Sequence, residues 1–167
     1  AIEVLLRYLT SSSVALLNQR FVENDDPWAS DTGYSTESYI RTAMTINFDS
    51  VSFDRLSSLP EKVLVLLKEH CDEDKLDLVR LRDMVEQVKW KFVHRCEKSP
   101  EPFSDIAIYE FEYGEDIQKD LVTYCKTLDE FDELMKWDIS KWVDIFRKYF
   151  VENHAAIVIA APSAELY

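Results

Sequence analysis

Hydrophobic and polar residues follow two patterns in succession between positions 39 and 71. Residues 39–48 alternate with a period of two, which predicts a strand with one face on a core. Residues 49–52 are turn and capping residues, and apolar residues then recur at helical spacing. A strand that leads directly into an amphipathic helix predicts that the helix packs on the strand's sheet. The apolar positions of the helix are Leu56, Leu59, Val63, Leu66, Leu67 and Cys71.

Helical spacing recurs along most of the remaining chain. It predicts helices over residues 2–9, 14–21, 76–96 and 103–113, a helical continuation over 121–128, and helices over 127–135 and 138–150. Residues 24–38 are rich in turn formers and predict a loop, with a weak strand near 29–34. The apolar run 154–161 predicts a buried strand over residues 155–160, which Pro162 ends. We expect both the strand at 41–48 and the strand at 155–160 to be buried on at least one side.

These elements define the fold class as α/β (α+β), with more helix than strand and a small sheet packed by helices mainly on one face. The 2 glycines among 167 residues favour long helices over many tight turns. A chain of this length forms one domain with a sizeable core, so we expect residues 1–167 to be a single domain.

The charge balance narrows the classes of partner. The chain has 32 acidic and 19 basic residues and a net charge of -13. This balance argues against nucleic acid and against an anionic membrane surface, since both are bound by clustered Lys and Arg. We find no apolar run long enough to span a membrane and no leader peptide. The 3 cysteines, widely spaced, predict reduced thiols and a cytoplasmic location, with the mitochondrial matrix left open.

The segment from Leu66 to His70 is the most suggestive of a metal site, because Glu69-His70 matches the end of the inverted zinc motif His-x-x-Glu-His. That motif requires a first histidine so that two imidazoles share one helical face. Leu66 occupies that position. The segment is therefore interpreted as the end of an amphipathic helix.

The remaining residues that could act as metal ligands, nucleophiles or phosphate-binding glycines are spread along the sequence. His94 and Cys96 have a spacing that does not close a tetrahedral zinc site, and His154 has no neighbouring ligand in sequence. Cys71 and Cys125 lie on apolar helix faces, where thiols are usually inert. Further groups that match no catalytic or phosphate-binding motif are Ser163, Gly33 and Gly114. By motif alone, the chain contains no catalytic, cofactor-binding or metal-binding residue.

Two clusters have structural interpretations. The acidic residues at 72–74 and 129–133 are interpreted as solvated faces in preference to catalytic carboxylate pairs. The aromatic residues near the C-terminus predict a helical core in preference to a ligand platform: Phe131, Trp137, Trp142, Phe146, Tyr149 and Phe150.

Several stretches resemble the pitrilysin and insulysin superfamily of zinc metallopeptidases, in particular its presequence-protease branch. They are residues 12–23 (Ser-Ser-Val-Ala-Leu-Leu-Asn-Gln-Arg-Phe-Val-Glu), the strand ending in Phe48-Asp49-Ser50-Val51, and residues 148–163, with the start of a Trp-rich helix at Trp137 and Trp142. The resemblance covers nearly the whole chain.

The resemblance implies a LuxS/processing-peptidase-like domain with a small, mostly antiparallel sheet. Such enzymes have four related domains in two halves around a chamber, and only the first domain carries the zinc motif. The chain then corresponds to a non-catalytic second domain that encloses substrate. Its first helix begins without a preceding strand, so we expect a fragment of a larger peptidase that lacks its first strand.

Further expectations follow from the resemblance. Zinc belongs to the parent's catalytic domain, and no cofactor belongs to this chain. The expected partners are the catalytic domain and the other half of the same peptidase, with peptide as the parent's substrate. An exposed sheet edge predicts self-association. A free-standing acidic module that binds a basic protein is the alternative function, and an enzyme with an unrecognised site is the least favoured one.

Overall fold

Helices form most of the secondary structure. The computed structural model describes residues 1–37, 43–114 and 126–162. The helices are α1 (Ile2–Thr10), α2 (Leu16–Phe21), α3 (Leu59–Glu69), α4 (Leu78–Lys98), α5 (Glu101–Tyr113), α6 (Thr127–Met135) and α7 (Ile139–Phe146), which continues into a π-helical turn at Arg147–Val151. The strands are β1 (Asp31–Glu37) and β2 (Ala43–Asp49). The predicted helix-rich α+β class is confirmed.

The two strands form an antiparallel pair in which Asp31 lies opposite Asp49 and Tyr34 opposite Ile46. Along β2 the side chains alternate between half-buried and exposed, with Met44, Ile46 and Phe48 facing the helices. The strand predicted at 41–48 is therefore confirmed over residues 43–48, and residues 41 and 42 lie outside the described ranges. The weak strand predicted at 29–34 lies at Asp31–Glu37.

The hydrophobic core includes residues of α1 and of the N-terminal half of α4. Leu5, Leu6 and Leu9 of α1 are fully buried, as are Leu81 and Val85 of α4. Apolar residues at i, i+3 and i+4 place one stripe of each helix on the other. The helix predicted over residues 76–96 lies at Leu78–Lys98 and begins one residue after Asp77. The Asp77 carboxylate accepts hydrogen bonds from the backbone N–H groups of Val79 and Arg80 at 2.9 and 3.1 Å and so caps the helix.

Aromatic side chains of the last helices complete the core, as the sequence predicts. Phe131, Trp142, Phe146 and Phe150 are buried, and the rings of Trp137 and Trp142 lie 5.1 Å apart. Asp138 is the N-cap of α7, where its carboxylate accepts a hydrogen bond from the Lys141 N–H at 3.0 Å. This aromatic cluster is therefore part of the packing between helices.

The strand predicted at residues 155–160 is wrong for the described structure. These residues form no strand and are exposed, and no described strand pairs with them. A strand that is apolar on both faces needs a neighbour at each edge and a layer on each face. The two-stranded sheet of the described residues supplies none of these to the segment. The helical continuation predicted at 121–128 lies outside the described ranges up to residue 125.

A helix that spans a bilayer needs about 20 consecutive, mostly apolar residues. Within the described residues, no helix is both long and apolar enough to cross a membrane.

Candidate interaction surface

The segment that resembles a zinc motif closes α3 and forms no ligand set. Leu66 is 8% exposed and packs in the core, while Glu69 is exposed to solvent. His70 follows the helix, and its Nδ1 lies 2.9 Å from the carbonyl oxygen of Leu66. The imidazole therefore binds the backbone at the helix end, where a partial negative charge resides.

The remaining histidines lie apart from one another on the surface. His94 is an exposed residue of α4, and His154 is exposed in the C-terminal segment. Arg95, beside His94, forms an ion pair with Asp105 of α5 at 3.1 Å. Within residues 1–37, 43–114 and 126–162, no group of three or more His, Cys, Asp or Glu side chains is placed to share a metal ion.

The cysteines that the structure describes differ in exposure. Cys71 is 6% exposed and follows α3, whereas Cys96 is half-buried on α4. Burial raises the pKa of the Cys71 thiol, because desolvation disfavours the thiolate. A buried thiol with a raised pKa is a poor nucleophile. Cys125 and Ser163, considered above as nucleophiles, lie outside the described ranges.

The acidic segments at 72–74 and 129–133 are surface features, as the sequence predicts. Asp72, Glu73 and Asp74 are exposed. On α6, Asp132 binds Lys89 of α4 at 2.5 Å and Glu133 binds Lys136 at 2.6 Å. These carboxylates pair with lysines in solvent, which is the ordinary arrangement for a charged helix face.

A shallow cleft of about 570 Å³ lies between α1 and α4. Trp90 is its largest side chain and is 67% exposed. The other lining residues are charged or polar and include both signs: Arg7, Asp83, Glu86, Gln87 and Lys91. The Arg7 guanidinium also donates a hydrogen bond to the Tyr34 hydroxyl at 3.1 Å. The cleft therefore offers one exposed aromatic side chain among charged and polar residues of both signs, which match no catalytic motif.

The outer face of α5 is the most apolar exposed helix surface. Phe103, Ile108 and Phe111 are 58%, 56% and 91% exposed. The opposite face carries Ile106 and Tyr109, which are half-buried. Large apolar side chains thus lie on two faces of α5, more than the single stripe of an ordinary surface helix. Acidic residues flank this outer face: Glu101, Asp105 and Glu112.

A second exposed apolar surface is formed by the C-terminal segment. Ile157, Val158 and Ile159 are 53%, 91% and 49% exposed. Large apolar side chains clustered on the surface mark interaction sites more often than isolated ones do. The candidate site of this chain is therefore a set of docking surfaces, namely the outer face of α5 and residues 155–161.

Sequence reasoning did not single out Trp90 or the outer face of α5. The signal for α5 was present, because residues 103–113 have apolar side chains at too many positions for a single buried stripe. Trp90 gives no such signal, since the cleft that it lines is formed jointly with Arg7 of α1. The apolar run at 155–160 predicts an interior strand, whereas these residues are exposed in the structure.

The chain is similar to one part of each of three longer proteins. It is 36% identical over 168 residues to an uncharacterized protein of Saccharomyces cerevisiae, a match that covers 100% of the chain and 16% of that protein. An uncharacterized protein of Schizosaccharomyces pombe is 30% identical over 99% of the chain and 16% of its own length. One of Caenorhabditis elegans is 27% identical over 99% of the chain and 17% of its own length.

The chain thus spans about one-sixth of the length of the curated relatives it matches. Since 168 matched residues make up 16% of the S. cerevisiae protein, that protein is about 1,050 residues long. No family model matches the chain. No solved structure matches it either.

Proposed function

We propose that the chain is a non-catalytic, substrate-enclosing domain of a larger, peptide-degrading zinc metallopeptidase of the pitrilysin and insulysin type. The observation that carries the proposal is the relation between the chain and its relatives. The whole chain aligns with about one-sixth of proteins near a thousand residues long. A polypeptide of that length accommodates four domains somewhat larger than this one, which is the organisation that the sequence resemblance implies.

The surfaces of the chain support a role within a larger assembly. The outer face of α5 presents three large apolar side chains to solvent, and residues 155–161 present three more. Within one polypeptide, such surfaces are normally covered by neighbouring domains. The mixed-charge cleft around Trp90 provides an aromatic and polar wall, which suits contact with extended peptides of varied sequence.

The geometry near the zinc-like segment also supports a non-catalytic role. The position of the motif's first histidine is occupied by a core leucine, Leu66. His70 is bound to a backbone carbonyl oxygen at 2.9 Å. In this proposal the zinc, its ligands and the general base belong to another domain of the longer protein, and this chain contributes enclosure. We assign the parent to the cytoplasm, with the mitochondrial matrix as the other candidate compartment.

The proposal is tested on the full-length S. cerevisiae relative and on the 167-residue chain in parallel. We expect the relative to contain His-x-x-Glu-His within roughly two hundred residues before the matched region, an interval set by ordinary domain length. We expect the purified relative to cleave a short, unstructured fluorogenic peptide, to lose this activity with phenanthroline and to recover it with zinc. The isolated chain should leave the peptide intact. A relative that lacks the motif and cleaves no unstructured peptide would contradict the proposal.

A free-standing acidic interaction module is the second candidate, and the net charge of -13 favours it. The exposed acids beside the outer face of α5 are suited to a basic, amphipathic partner. The two functions differ in the isolated chain. A module binds a basic amphipathic peptide by itself, with affinity that falls as salt rises. On the peptidase proposal, the isolated chain should not prefer the basic peptide over a neutral peptide of the same length.

A further inference from the structure

Residues 155–161 have the sequence of a strand but none of its neighbours in the described structure. The π-helical turn before them packs in the core through Phe150, and the exposed stretch begins at Glu152. From residue 153 to residue 162 the backbone is irregular and every residue is exposed. Val158, at the centre of the segment, is 91% exposed.

The order of side chains indicates what kind of strand this segment forms. In an extended conformation, Ala155, Ile157, Ile159 and Ala161 lie on one face, and Ala156, Val158 and Ala160 on the other. Both faces are apolar, and no residue between 155 and 161 is charged. Strands with this pattern lie inside a sheet that is covered on both faces. Edge strands, in contrast, have charged or proline residues that discourage pairing.

The end of the segment is consistent with the same interpretation. Pro162 has no backbone N–H and cannot continue a hydrogen-bond ladder, so the pairing region ends before it. Residues 155–161 form seven consecutive positions without glycine or proline. Seven residues is a normal length for a strand.

The kind of sheet that this strand requires indicates where its neighbouring strands come from. A strand that is covered on both faces needs a paired strand on each side and a packed layer above and below. From its described residues, a second copy of the chain would bring β1 and β2, a two-stranded sheet whose β2 residues Thr45 and Asn47 lie on a polar, exposed face. Such a sheet leaves one face of the added strand in water. The S. cerevisiae relative is matched through this segment and has five-sixths of its length outside the match.

We propose that residues 155–161 are an interior β-strand of a sheet whose neighbouring strands are supplied by the longer polypeptide. The segment is the donor in a β-strand addition, in which backbone hydrogen bonds provide affinity and alternate side chains enter the two covering layers. This inference goes beyond the peptidase proposal and is independent of it, because it requires a longer polypeptide but no zinc and no proteolysis.

Amide hydrogen exchange, followed by mass spectrometry, tests the inference on two proteins. In the isolated 167-residue chain, amides 155–161 should exchange at the rate of an unstructured peptide, while α1 and α4 remain protected. In the full-length S. cerevisiae relative, the aligned segment should exchange at least about a hundredfold more slowly, as expected for an interior strand. A segment that exchanges freely in both proteins would overturn the proposal.

Two further results would also overturn it. Protection of residues 155–161 that rises with the concentration of the isolated chain would identify a second copy as the neighbour. Protection in the isolated chain at every concentration would show that the segment folds onto its own domain. The melting temperatures of substituted proteins test the same inference. In the isolated chain, V158P should leave the melting temperature unchanged, and so should the matched variant V158T. The corresponding proline in the full-length relative should lower its melting temperature, and the corresponding threonine should not.

Discussion

Arg80 connects two parts of the core that are far apart in sequence, and its removal gives a quantitative test of the fold. Its guanidinium donates hydrogen bonds to the carbonyl oxygens of Val14 and Tyr8 at 2.9 and 3.1 Å. It also donates to the Ser12 hydroxyl at 3.2 Å and lies 4.6 Å from the centre of the Tyr8 ring. The Tyr8 hydroxyl in turn accepts a hydrogen bond from the Asp77 N–H at 3.1 Å. The start of α4 is thereby fixed to the end of α1.

The expected cost of Arg80→Ala follows from these contacts. A hydrogen bond from a charged group contributes about 1.5–3 kcal/mol when buried, but Arg80 is half exposed and the bond to Val14 faces solvent. The cation–π contact adds about 0.5–1 kcal/mol at an exposed site. We therefore expect a loss of about 2–3 kcal/mol in the free energy of unfolding. For a chain of this size that corresponds to a decrease of about 4–12 °C in melting temperature.

Thermal denaturation followed by circular dichroism measures this effect with two companion variants. Arg80→Lys retains the charge but cannot reach three acceptors with one planar group, so it should recover less than half of the loss. Arg20→Ala is the matched control, because the Arg20 guanidinium is exposed and makes no hydrogen bond or ion pair with a described residue. Arg20→Ala should change stability by less than about 0.5 kcal/mol. If Arg80→Ala and Arg20→Ala melt together, the proposed connection between α1 and α4 is refuted.

Two further predictions concern the sheet and the buried thiol. Ile46→Asp places a carboxylate on the half-buried face of β2 and should lower the free energy of unfolding by several kcal/mol. Thr45→Asp, on the exposed face, should cost less than about 1 kcal/mol. Equal urea midpoints for the two variants would contradict the assigned faces. Burial raises the pKa of Cys71, so the folded state holds the thiol proton more tightly than the unfolded state does. Stability should therefore fall as pH rises past about 8.5, the ordinary thiol value, and Cys71→Ala should weaken this dependence; a parent and a variant with identical alkaline profiles would exclude Cys71 as its source.

The periodicity of apolar residues in the sequence predicted β2, α1 and α4. The alternation from Met44 to Phe48 and the apolar stripes of α1 and α4 correspond to observed strands and helices, because period-2 and period-3.6 burial are properties of a single segment. The start of α3 differs from the predicted one. The apolar pattern begins at Leu56, whereas α3 begins at Leu59 and has Pro60 in its first turn. Proline is suited to a first turn, where its missing N–H has no partner to lose.

Tertiary context decided the features that the sequence did not predict. Residues 155–160 are typical of a buried strand, but burial of a strand requires neighbours, and the described residues provide none. The cleft beside Trp90 is formed jointly with Arg7 of α1, so no single segment predicts it. At the zinc-like segment the sequence was more informative, because the leucine at position 66 occupies the place of a required ligand and lies in the core. The peptidase assignment itself stays a proposal based on resemblance and on the length of the relatives.

The most direct test of this assignment is the zinc content of the two purified proteins, measured side by side by elemental analysis after dialysis. If the metallopeptidase assignment is right, we expect about one zinc ion for each molecule of the full-length S. cerevisiae relative, as in a catalytic zinc site. We expect no stoichiometric zinc in the 167-residue chain. Stoichiometric zinc in the isolated chain, removable only by a strong chelator, would contradict the non-catalytic role. A metal-free relative, purified without chelators and unable to take up zinc, would contradict the metallopeptidase assignment as a whole.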